Sequence, residues 1–527
     1  MKAAKRSAAA RVWEYADLAF AAALLAVVWW WLGALPAPMQ LDFDEGIQTS
    51  KALLVVDGWR IHDEVWSDQP PMMSHLLAWW YAAGLGGDAD PLVQGRRMVA
   101  LFGVLGAVFA GRLVRKTLAA DAEGRSVETT ARWVWVGGLV AGALALVLML
   151  GARRYARLSI SVMIGVPAIT TAMAAAWVAW GPRDERAVWR WARVVASAAL
   201  LAVALQIKLF VFMLVPAILG LVAWRAAKAA ASRGALSGTA AAGGWVAACL
   251  ACSVALSATF GWMTAEQSVA PHMAEVGEQG GELVASVAAN VARLGMFLLE
   301  DATLAILALV ALVIAVQERR WALLAWPAGW AGVSLVSLLF ADPLQSHHRL
   351  MVTIPLAMLA ATGVVVLAQR IMADRAAGNG TWRVSAGVGA VALAAALVLA
   401  IGRPASLGVA LGRSQGEVLD ARMIEAIEAE MTDRPIGFTY MDKLTYACAL
   451  GLRTPPDLAV VSAKRRRNGD FTDEHIAEAI DRWNVDLVLL ERFEYKRNHP
   501  VKRIVRDDFE LVMEVDGAEL YRRRATD

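Results

Sequence analysis

The sequence predicts a polytopic α-helical membrane protein with about eleven transmembrane helices and a C-terminal α/β domain outside the membrane. Of the 527 residues, 58% are hydrophobic and 19% are charged, which is less charge than a soluble chain of this size carries. Apolar runs of roughly 20 residues recur, and many of the 22 Trp residues lie near their ends, as in interfacial aromatic belts. After Arg403 the composition changes to that of a soluble domain.

The predicted spans follow one another through short connections, except for a long loop after the first. They are residues 16–35, 96–114, 133–150, 160–180, 194–207, 209–224, 236–262, 296–316, 322–340, 351–368 and 384–402. The first follows a basic start that is typical of a signal peptide, but its length and the lack of a small-residue cleavage site favour an uncleaved helix. Spans five and six are nearly continuous, with Lys208 at their junction.

Positive charge is concentrated in alternate short loops of the chain. Lys and Arg cluster in residues 1–15, 115–132, 181–193, 225–235, 317–321 and 369–383. Because cytoplasmic loops carry the excess of Lys and Arg, we expect a multi-pass protein of the inner or plasma membrane with a cytoplasmic N-terminus. The first loop, residues 36–95, and the C-terminal domain are then extracytoplasmic, in the periplasm or at the cell exterior.

A change of composition predicts two domains, with residues 1–402 in the membrane and residues 403–527 in the α/β domain. In the second domain, apolar stretches of strand length alternate with helical patterns. The predicted strands are Ile436–Tyr440, Leu458–Val461 and Val485–Leu490, and the predicted helices are 415–432, 442–450 and 473–483. A terminal hairpin, Phe509–Arg522, is predicted around Asp516-Gly517.

The first outer loop is rich in acidic and histidine residues and begins with Asp42, Asp44 and Glu45. Helix-like amphipathic pieces at Gly46–Val56 and Met72–Leu85 indicate a structured loop that lies along the membrane surface. A carboxylate in this position can act as a general base on a substrate hydroxyl; a solvated polar loop is the alternative. The other ionisable residues considered are Lys51, Asp57, His62, Asp63, Glu64, Asp68 and His75.

A second group of candidates consists of cations at the outer ends of the spans. These are Arg96, Arg97, Arg153, Arg154, Arg157, Lys208, and Arg349 beside His347-His348. A charge next to an apolar span is costly unless it faces protein, water or a partner. Several such cations on the side of the acidic loop suit an anionic group at the membrane surface, such as a lipid phosphate. Snorkelling to the interface is the alternative for each residue.

The sequence leaves a metal site open and indicates no other cofactor. His62, Asp63, Asp68 and His75 could hold a divalent metal, but their spacing matches no specific template. His272 lies in the glycine-containing outer loop 263–295, which is either a flexible connector or a lid over the site. The three cysteines are too few for a disulfide framework. Nucleotide-binding glycine motifs are absent from the sequence, and no nucleic-acid partner is expected.

Three stretches of the sequence carry a family resemblance. After the first span come Asp44-Glu45, Ala52, Asp57-Gly58 and Gln69-Pro70-Pro71-Met72; then Gly95-Arg-Arg-Met98; then Gln206-Ile-Lys208 before Pro216, with Arg349 and Pro355 as a weaker match. In this pattern, over roughly residues 10–370, the chain resembles the GT-C type glycosyltransferases that use lipid-linked sugars. This superfamily contains the bacterial protein O-mannosyltransferases and the aminoarabinose transferases.

The resemblance implies a GT-C-like fold and an inverting transfer of a sugar from a polyprenyl-phosphate donor to a lipid, glycan or protein acceptor. It implies that Asp44 is the catalytic base and that Glu45 supports it. The donor phosphate would be bound by Lys208, Arg97 and Arg349, with Arg157 as a further cation of the same set. Candidate acceptor or lid contacts are His62, Asp63, His75, His272 and His348.

The sequence departs from the family pattern after the third span. Relatives often carry an acidic residue there, whereas Tyr155–Met163 contains none. Two other functions therefore stay open. The chain could be a flippase for a lipid-linked sugar that uses the same cations without chemistry, although no inverted repeat supports it. It could also be a catalytically silent assembly partner in the membrane.

Overall fold

The chain is mostly helical, with a small sheet near its C-terminus. The computed structural model describes residues 42–122, 130–181, 187–229, 234–262, 283–324, 326–341, 344–378, 415–462, 465–466, 469, 471–491 and 500–524. The helices of the first part are α1 (Phe43–Val56), α2 (Met72–Ala82), α3 (Pro91–Ala122), α4 (Thr130–Gly151), α5 (Arg153–Ser159), α6 (Gly165–Ala179), α7 (Ala187–Ile207), α8 (Val215–Ala229), α9 (Gly234–Phe260), α10 (Leu283–Glu300), α11 (Ala302–Gln317), α12 (Trp321–Leu324), α13 (Pro327–Leu339) and α14 (Leu350–Ala376). Short 3₁₀ helices precede α8 (Leu209–Leu214) and α14 (Ser346–Arg349).

The membrane-type helices agree with the predicted polytopic class. Within the described residues, five helical segments are long and apolar enough to cross a bilayer: Pro91–Asp121, Val188–Ile207, Leu209–Lys228, Ser237–Phe260 and His347–Arg375. Shorter apolar helices at Val140–Gly151, Gly165–Ala179 and Pro327–Leu339 lie among them. The predicted spans 16–35 and 384–402 lie outside the described residues, so the number of spans stays a prediction.

The predicted single span 296–316 is wrong in shape, because it is two helices. α10 ends at Glu300 and α11 begins at Ala302, and the two helix axes meet at 92°. Asp301 forms the corner and its carboxylate is buried against Arg349 and Thr353. Mean hydropathy is averaged over a window of many residues, so a charged residue at the corner lowers it only slightly. Hydropathy alone therefore did not reveal the corner.

The break between predicted spans five and six is real and falls at Lys208. α7 ends at Ile207, and Lys208 has an extended backbone, with φ −156° and ψ 124°. A 3₁₀ segment follows before α8, in which Pro216 occupies the first turn, where a missing N–H costs no hydrogen bond. This arrangement places the Lys208 side chain at the end of two consecutive apolar segments.

In the described residues, the C-terminal part has four α-helices and a four-stranded sheet. The elements are α15 (Gln415–Asp433), β1 (Thr439–Met441), α16 (Thr445–Ala449), α17 (Asp473–Arg482), β2 (Leu487–Leu490), α18 (Pro500–Asp508), β3 (Phe509–Val515) and β4 (Ala518–Arg523). The strand order is β1-β2-β4-β3, with β1 and β2 parallel and the other pairs antiparallel. The hairpin around Asp516-Gly517 forms as predicted, and both turn residues have positive φ, as a tight hairpin turn requires.

One predicted strand of this part is wrong and one helix was not predicted. Leu458–Val461 is buried, but it follows a 3₁₀ turn at Pro456–Leu458 and joins no sheet. Pro455 and Pro456 cannot donate to a strand ladder, and the buried valines pack without one. α18 escaped prediction because its polar residues obscure the apolar face formed by Val501 and Val505.

Helix α1 is enclosed between the membrane-type helices and the C-terminal part. On one side it packs against α2 and α3, and on the other against α16. Ile47 packs with Leu444 and Val460, and Leu54 packs with Ala459. A β-carbon at Gly46 would overlap the backbone of Thr445, so glycine permits this close approach. The first outer loop and the chain terminus therefore form one packed unit.

Candidate functional site

The site begins at the first turn of α1, where the chain enters the helix through Asp42. The Asp42 carboxylate accepts a hydrogen bond from the backbone N–H of Asp44 at 3.1 Å, which caps the helix. Asp44 and Glu45 follow in the first turn, where negative charge suits the helix dipole. Consecutive helix residues point about 100° apart, and here Asp44 is exposed while Glu45 is buried.

Glu45 is committed to a buried ion pair with Arg96 of α3. Its two carboxylate oxygens accept from Arg96 Nε at 2.8 Å and Arg96 Nη2 at 2.9 Å. The backbone N–H of Val162, between α5 and α6, donates to Glu45 Oε2 at 2.9 Å. The exposed fraction is 1% for Glu45 and 8% for Arg96. Glu45 therefore fastens the first turn of α1 to α3 and to the connection between α5 and α6.

The Val162 contact lies in the segment where the family pattern has an acidic residue. Tyr155–Met163 lacks an acid of its own, but the Glu45 carboxylate reaches its backbone. A carboxylate is thus present at this segment, supplied from the first outer loop. No sequence pattern links these residues, which are 117 positions apart.

A group of cations lies at the same end of the helices as α1. Arg154 and Arg157 lie on α5, which contacts the 3₁₀ helix that ends at Arg349. Burial lowers the pKa of Arg154, and the nearby charges of Arg157 and Arg349 lower it further. Asp42 and Glu300 act in the opposite direction. These four charges are therefore within electrostatic reach of the Arg154 side chain, and Asp42 is two residues from Asp44. The structure brings the predicted cations Arg157 and Arg349 together.

Arg349 is held in place by acidic residues from the corner between α10 and α11. Its Nε donates to Asp301 Oδ2 at 3.0 Å, and its Nη2 lies 2.8 Å from Asp301 Oδ1. Glu300 pairs with the same guanidinium, and Thr353 donates to Asp301 at 2.7 Å. Asp301 is buried whereas the Glu300 side chain is mostly exposed. A ligand can therefore displace Glu300 more easily than Asp301.

Lys208 is connected to the segment that contains Arg349 through contacts with aromatic rings. Its ammonium lies 5.0 Å from the centre of the Phe210 ring, a cation–π distance. Phe210 stacks on His348 at 5.9 Å, and His348 contacts His347 at 4.5 Å. His348 Nδ1 also accepts from the backbone N–H of Gln345. Since Arg349 follows His348 directly, Lys208 and Arg349 lie at the same end of the helices.

Arg97 is placed differently from its neighbour Arg96. Its guanidinium donates to the carbonyl of Gly86 in the turn between α2 and α3, so it stabilises that turn. Arg97 thus has its hydrogen bond in the α2–α3 turn, although α3 itself packs against α5. Its role in phosphate binding stays a prediction.

Two of the predicted histidine contacts, His62 and His75, lie at the end of α9. His75 Nε2 lies 3.3 Å from the Phe260 carbonyl, and its ring is 4.8 Å from the Phe260 ring. Burial lowers the pKa of His75. His62 has a positive φ of 74° and lies beside Gly261. Asp63 instead pairs with Arg60 at 3.2 Å on the surface, and His272 lies outside the described residues.

The described ranges hold no group of three His, Cys, Asp or Glu side chains arranged to bind a metal ion. In particular, His62, Asp63, Asp68 and His75 do not gather into such a group. The three cysteines are free thiols, and Cys448 donates to the carbonyl of Gly46 at 3.3 Å. The chemistry available at this site is that of carboxylates, cations and a helix N-terminus.

Lys51 has no predicted role from the sequence, and the structure buries it completely. Its ammonium donates to Ser67 Oγ at 3.2 Å. Burial lowers the pKa of Lys51 to about 8, opposed by the charges of Asp68 and Asp44. The seven-residue spacing of Asp44 and Lys51, two turns on one helix face, was the only signal in the sequence.

The fold is similar to that of two crystal structures of ArnT from Cupriavidus metallidurans. For ArnT bound to undecaprenyl phosphate, the TM-score is 0.56 and the identity is 14%, over 96% of this chain and 97% of ArnT. For ArnT in the apo state, the TM-score is 0.53 and the identity is 15%, over 97% and 98% of the two chains. Neither a protein-family model nor a curated protein matches the sequence. The chain therefore has the fold of ArnT over nearly its whole length, which agrees with the predicted fold class.

Proposed function

We propose that the protein is an integral-membrane glycosyltransferase that moves a sugar from a polyprenyl-phosphate donor to an acceptor on the extracytoplasmic face. One observation carries this proposal. Asp44 is an exposed carboxylate at the start of α1, and Asp42, two residues before it, is within electrostatic reach of the cations of α5. A base and an anion site at one end of apolar helices suit a substrate whose phosphate is anchored in the membrane.

In the proposed reaction, the acceptor hydroxyl attacks the anomeric carbon of the donor sugar while Asp44 takes its proton. The bond between the anomeric carbon and the phosphate oxygen breaks, and the polyprenyl phosphate leaves with the electron pair. Arg157, Arg349 and Lys208 neutralise the charge that develops on this phosphate. A single displacement needs no enzyme nucleophile and inverts the anomeric configuration. A positioned general base typically contributes about 10²–10⁴-fold in rate.

Glu45 acts in this mechanism as a positioning residue. Both of its oxygens are already engaged by Arg96 and Val162, and its side chain is buried whereas Asp44 is exposed. It fixes the first turn of α1 relative to α3 and to the α5–α6 connection. Small displacements of a catalytic group cost large factors in rate, so we expect Glu45 to affect turnover through the geometry of Asp44.

The donor class is supported by the likeness to ArnT, which was crystallised bound to undecaprenyl phosphate. The acceptor is a lipid, a glycan or a protein that presents a hydroxyl next to α1. The C-terminal domain packs directly on α1, so it covers the acceptor side of the site. His62 and His75, at the end of α9, are candidate acceptor contacts, and no step of the mechanism needs a metal ion.

Reconstitution with a radiolabelled donor tests this function. The purified protein is placed in vesicles with polyprenyl-phosphate sugars and extracted envelope lipids and glycans, and labelled product is measured. Asp44→Asn should reduce transfer about 10²–10⁴-fold, and Lys208→Ala should weaken use of the donor. Glu64→Gln is the matched control, because Glu64 is an acid of the same loop that lies on the surface near Arg60.

Three outcomes would contradict the proposal. If Asp44→Asn transfers label as fast as the unchanged protein, Asp44 is not the base. If label crosses the bilayer without forming product, the protein is a flippase and the transfer mechanism is wrong. Product with retained anomeric configuration would likewise exclude a single displacement.

A further inference from the structure

Lys51 lies on the face of α1 that carries Asp44. The two residues are separated by two helical turns, about 10 Å along the axis. Long side chains on a helix lean toward its N-terminus, so the Lys51 ammonium extends from its Cα toward Asp44. The exposed fraction of Lys51 is 1%, whereas Asp44 is exposed. The ammonium therefore lies inside the protein, behind the candidate base.

The loop that follows α1 fixes the ammonium in this position. Lys51 Nζ donates to Ser67 Oγ at 3.2 Å. Ser67 is itself held by Gln69, whose carbonyl accepts from Ser67 Oγ at 2.9 Å and whose N–H donates to it at 3.2 Å. Asp68 lies between these two residues, so its carboxylate is carried on the segment that holds Lys51. Ser67 is buried, which makes this a rigid internal contact.

Keeping a charge at this position costs stability. A buried ammonium loses its hydration, and here burial is the main reason that the pKa of Lys51 falls to about 8. The charges of Asp68 and Asp44 are what oppose that loss. An apolar side chain of similar length would fill the same space without this penalty. A costly charge next to a candidate base is typical of functional sites.

We propose that Lys51 is a positioning residue for the transfer reaction, whose buried ammonium, held by Ser67 and shared with Asp68, orients the Asp44 carboxylate toward the acceptor hydroxyl. This inference rests on the proposed function. It adds Lys51, Ser67 and Asp68 to the residues that support the transfer, and their role is to orient the catalytic base. The cations of α5 and Arg349 serve the donor phosphate. Loss of Lys51 should therefore slow turnover without weakening donor binding.

Lys51→Met tests the inference, because it keeps the length of the side chain and removes the charge. We expect kcat to fall at least about tenfold and KM for the polyprenyl-phosphate donor to stay within about twofold, as for loss of an interaction used in the transition state. The thermal melting temperature should stay the same or rise. Ser67→Ala, which keeps the charge but releases the ammonium, should give a smaller fall in kcat.

Lys443→Met is the matched control for the melting measurement. Lys443 is a half-buried lysine of the C-terminal domain that bonds directly to Asp420 at 2.7 Å and Glu491 at 3.0 Å. Its loss removes the cation that is shared by two carboxylates, so the same substitution should lower the melting temperature there. Opposite changes at the two lysines would separate a functional charge from a stabilising one.

The results distinguish failure of this inference from failure of the proposed function. If the unchanged protein transfers sugar, Asp44→Asn is inactive and Lys51→Met has an unchanged kcat, the inference is wrong and the proposed function stands. If Lys51→Met loses activity and melting temperature together, Lys51 is merely structural. If the unchanged protein transfers no sugar from any donor, the proposed function fails and the role of Lys51 fails with it.

Discussion

We expect the ion pair between Glu45 and Arg96 to hold the first turn of α1 in position. Glu45→Gln retains the shape of the side chain but removes its charge. The Arg96 guanidinium then stays buried without a counter-charge, and the glutamine amide turns a donor toward either Arg96 or the Val162 N–H. We expect lower stability and slower turnover, although Asp44 itself is unchanged.

The magnitude follows from burial and geometry. Both partners are more than nine-tenths buried, and the carboxylate accepts three hydrogen bonds of 2.8–2.9 Å. Removing one partner of a buried pair costs about 3–5 kcal/mol, whereas replacing both with apolar residues is often nearly neutral. Arg96→Met should therefore cost about as much as Glu45→Gln. Glu45→Met/Arg96→Met should recover most of the loss, apart from about 1–3 kcal/mol for the unpaired Val162 N–H.

Thermal melting followed by tryptophan fluorescence measures these variants, since the chain contains 22 Trp residues. All four proteins are compared in one detergent at one scan rate, because unfolding of large proteins is often irreversible. Transfer activity is measured in parallel. If Glu45 acts only by position, activity should return in the double variant along with stability.

Two results would refute this reasoning. Glu45→Gln could melt at the temperature of the unchanged protein, which would mean that the pair contributes nothing. Alternatively, the two single effects could simply add in the double variant, which would mean that the residues are not coupled. A stable but inactive double variant would instead give Glu45 a direct part in catalysis.

Two further predictions concern packing and pH. Gly46→Ala should destabilise the protein by on the order of 1–3 kcal/mol, because its β-carbon would overlap the backbone of Thr445. Gly332→Ala is the control and should be neutral, because a β-carbon there meets no atom within 4 Å. Equal melting temperatures for the two variants would contradict the observed contact. The pKa of Lys51 falls from 10.5 to about 8 on folding, so the unfolded chain holds more protons between these values and stability should rise with pH across that window. At pH 7 the free energy of unfolding of the unchanged protein should be lower than that of Lys51→Met by on the order of 3 kcal/mol. Chemical denaturation should show that this difference becomes smaller toward pH 10. A difference that does not change with pH would show that Lys51 keeps its ordinary pKa.

The sequence predicted the elements whose signal is local. Both amphipathic pieces of the first outer loop became helices, α1 and α2, because the 3.6-residue period survives any tertiary context that buries one face. The terminal hairpin was equally predictable, since Asp516-Gly517 favours the positive φ angles observed there.

The contacts that make the site were not predictable, because they join distant segments. Glu45 and Arg96 are 51 positions apart, and Arg349 and Asp301 are 48 apart. A pattern of residue types cannot state which acid meets which cation. Burial of Lys51 is a further example, since a lysine on an amphipathic helix ordinarily lies on the polar face. The C-terminal domain, which comes from the other end of the chain, covers the second face of α1.

The cover on α1 has a consequence for biosynthesis. The Thr445 hydroxyl donates to the carbonyl of Asp42 across 403 positions, and Cys448 reaches Gly46 across 402. During translation the membrane helices leave the ribosome long before α16 exists, and domains generally fold in that order. The helix that carries Asp44 therefore reaches its final surroundings only when the last fifth of the protein has been made. A chain that stops before α16 therefore leaves this side of α1 uncovered.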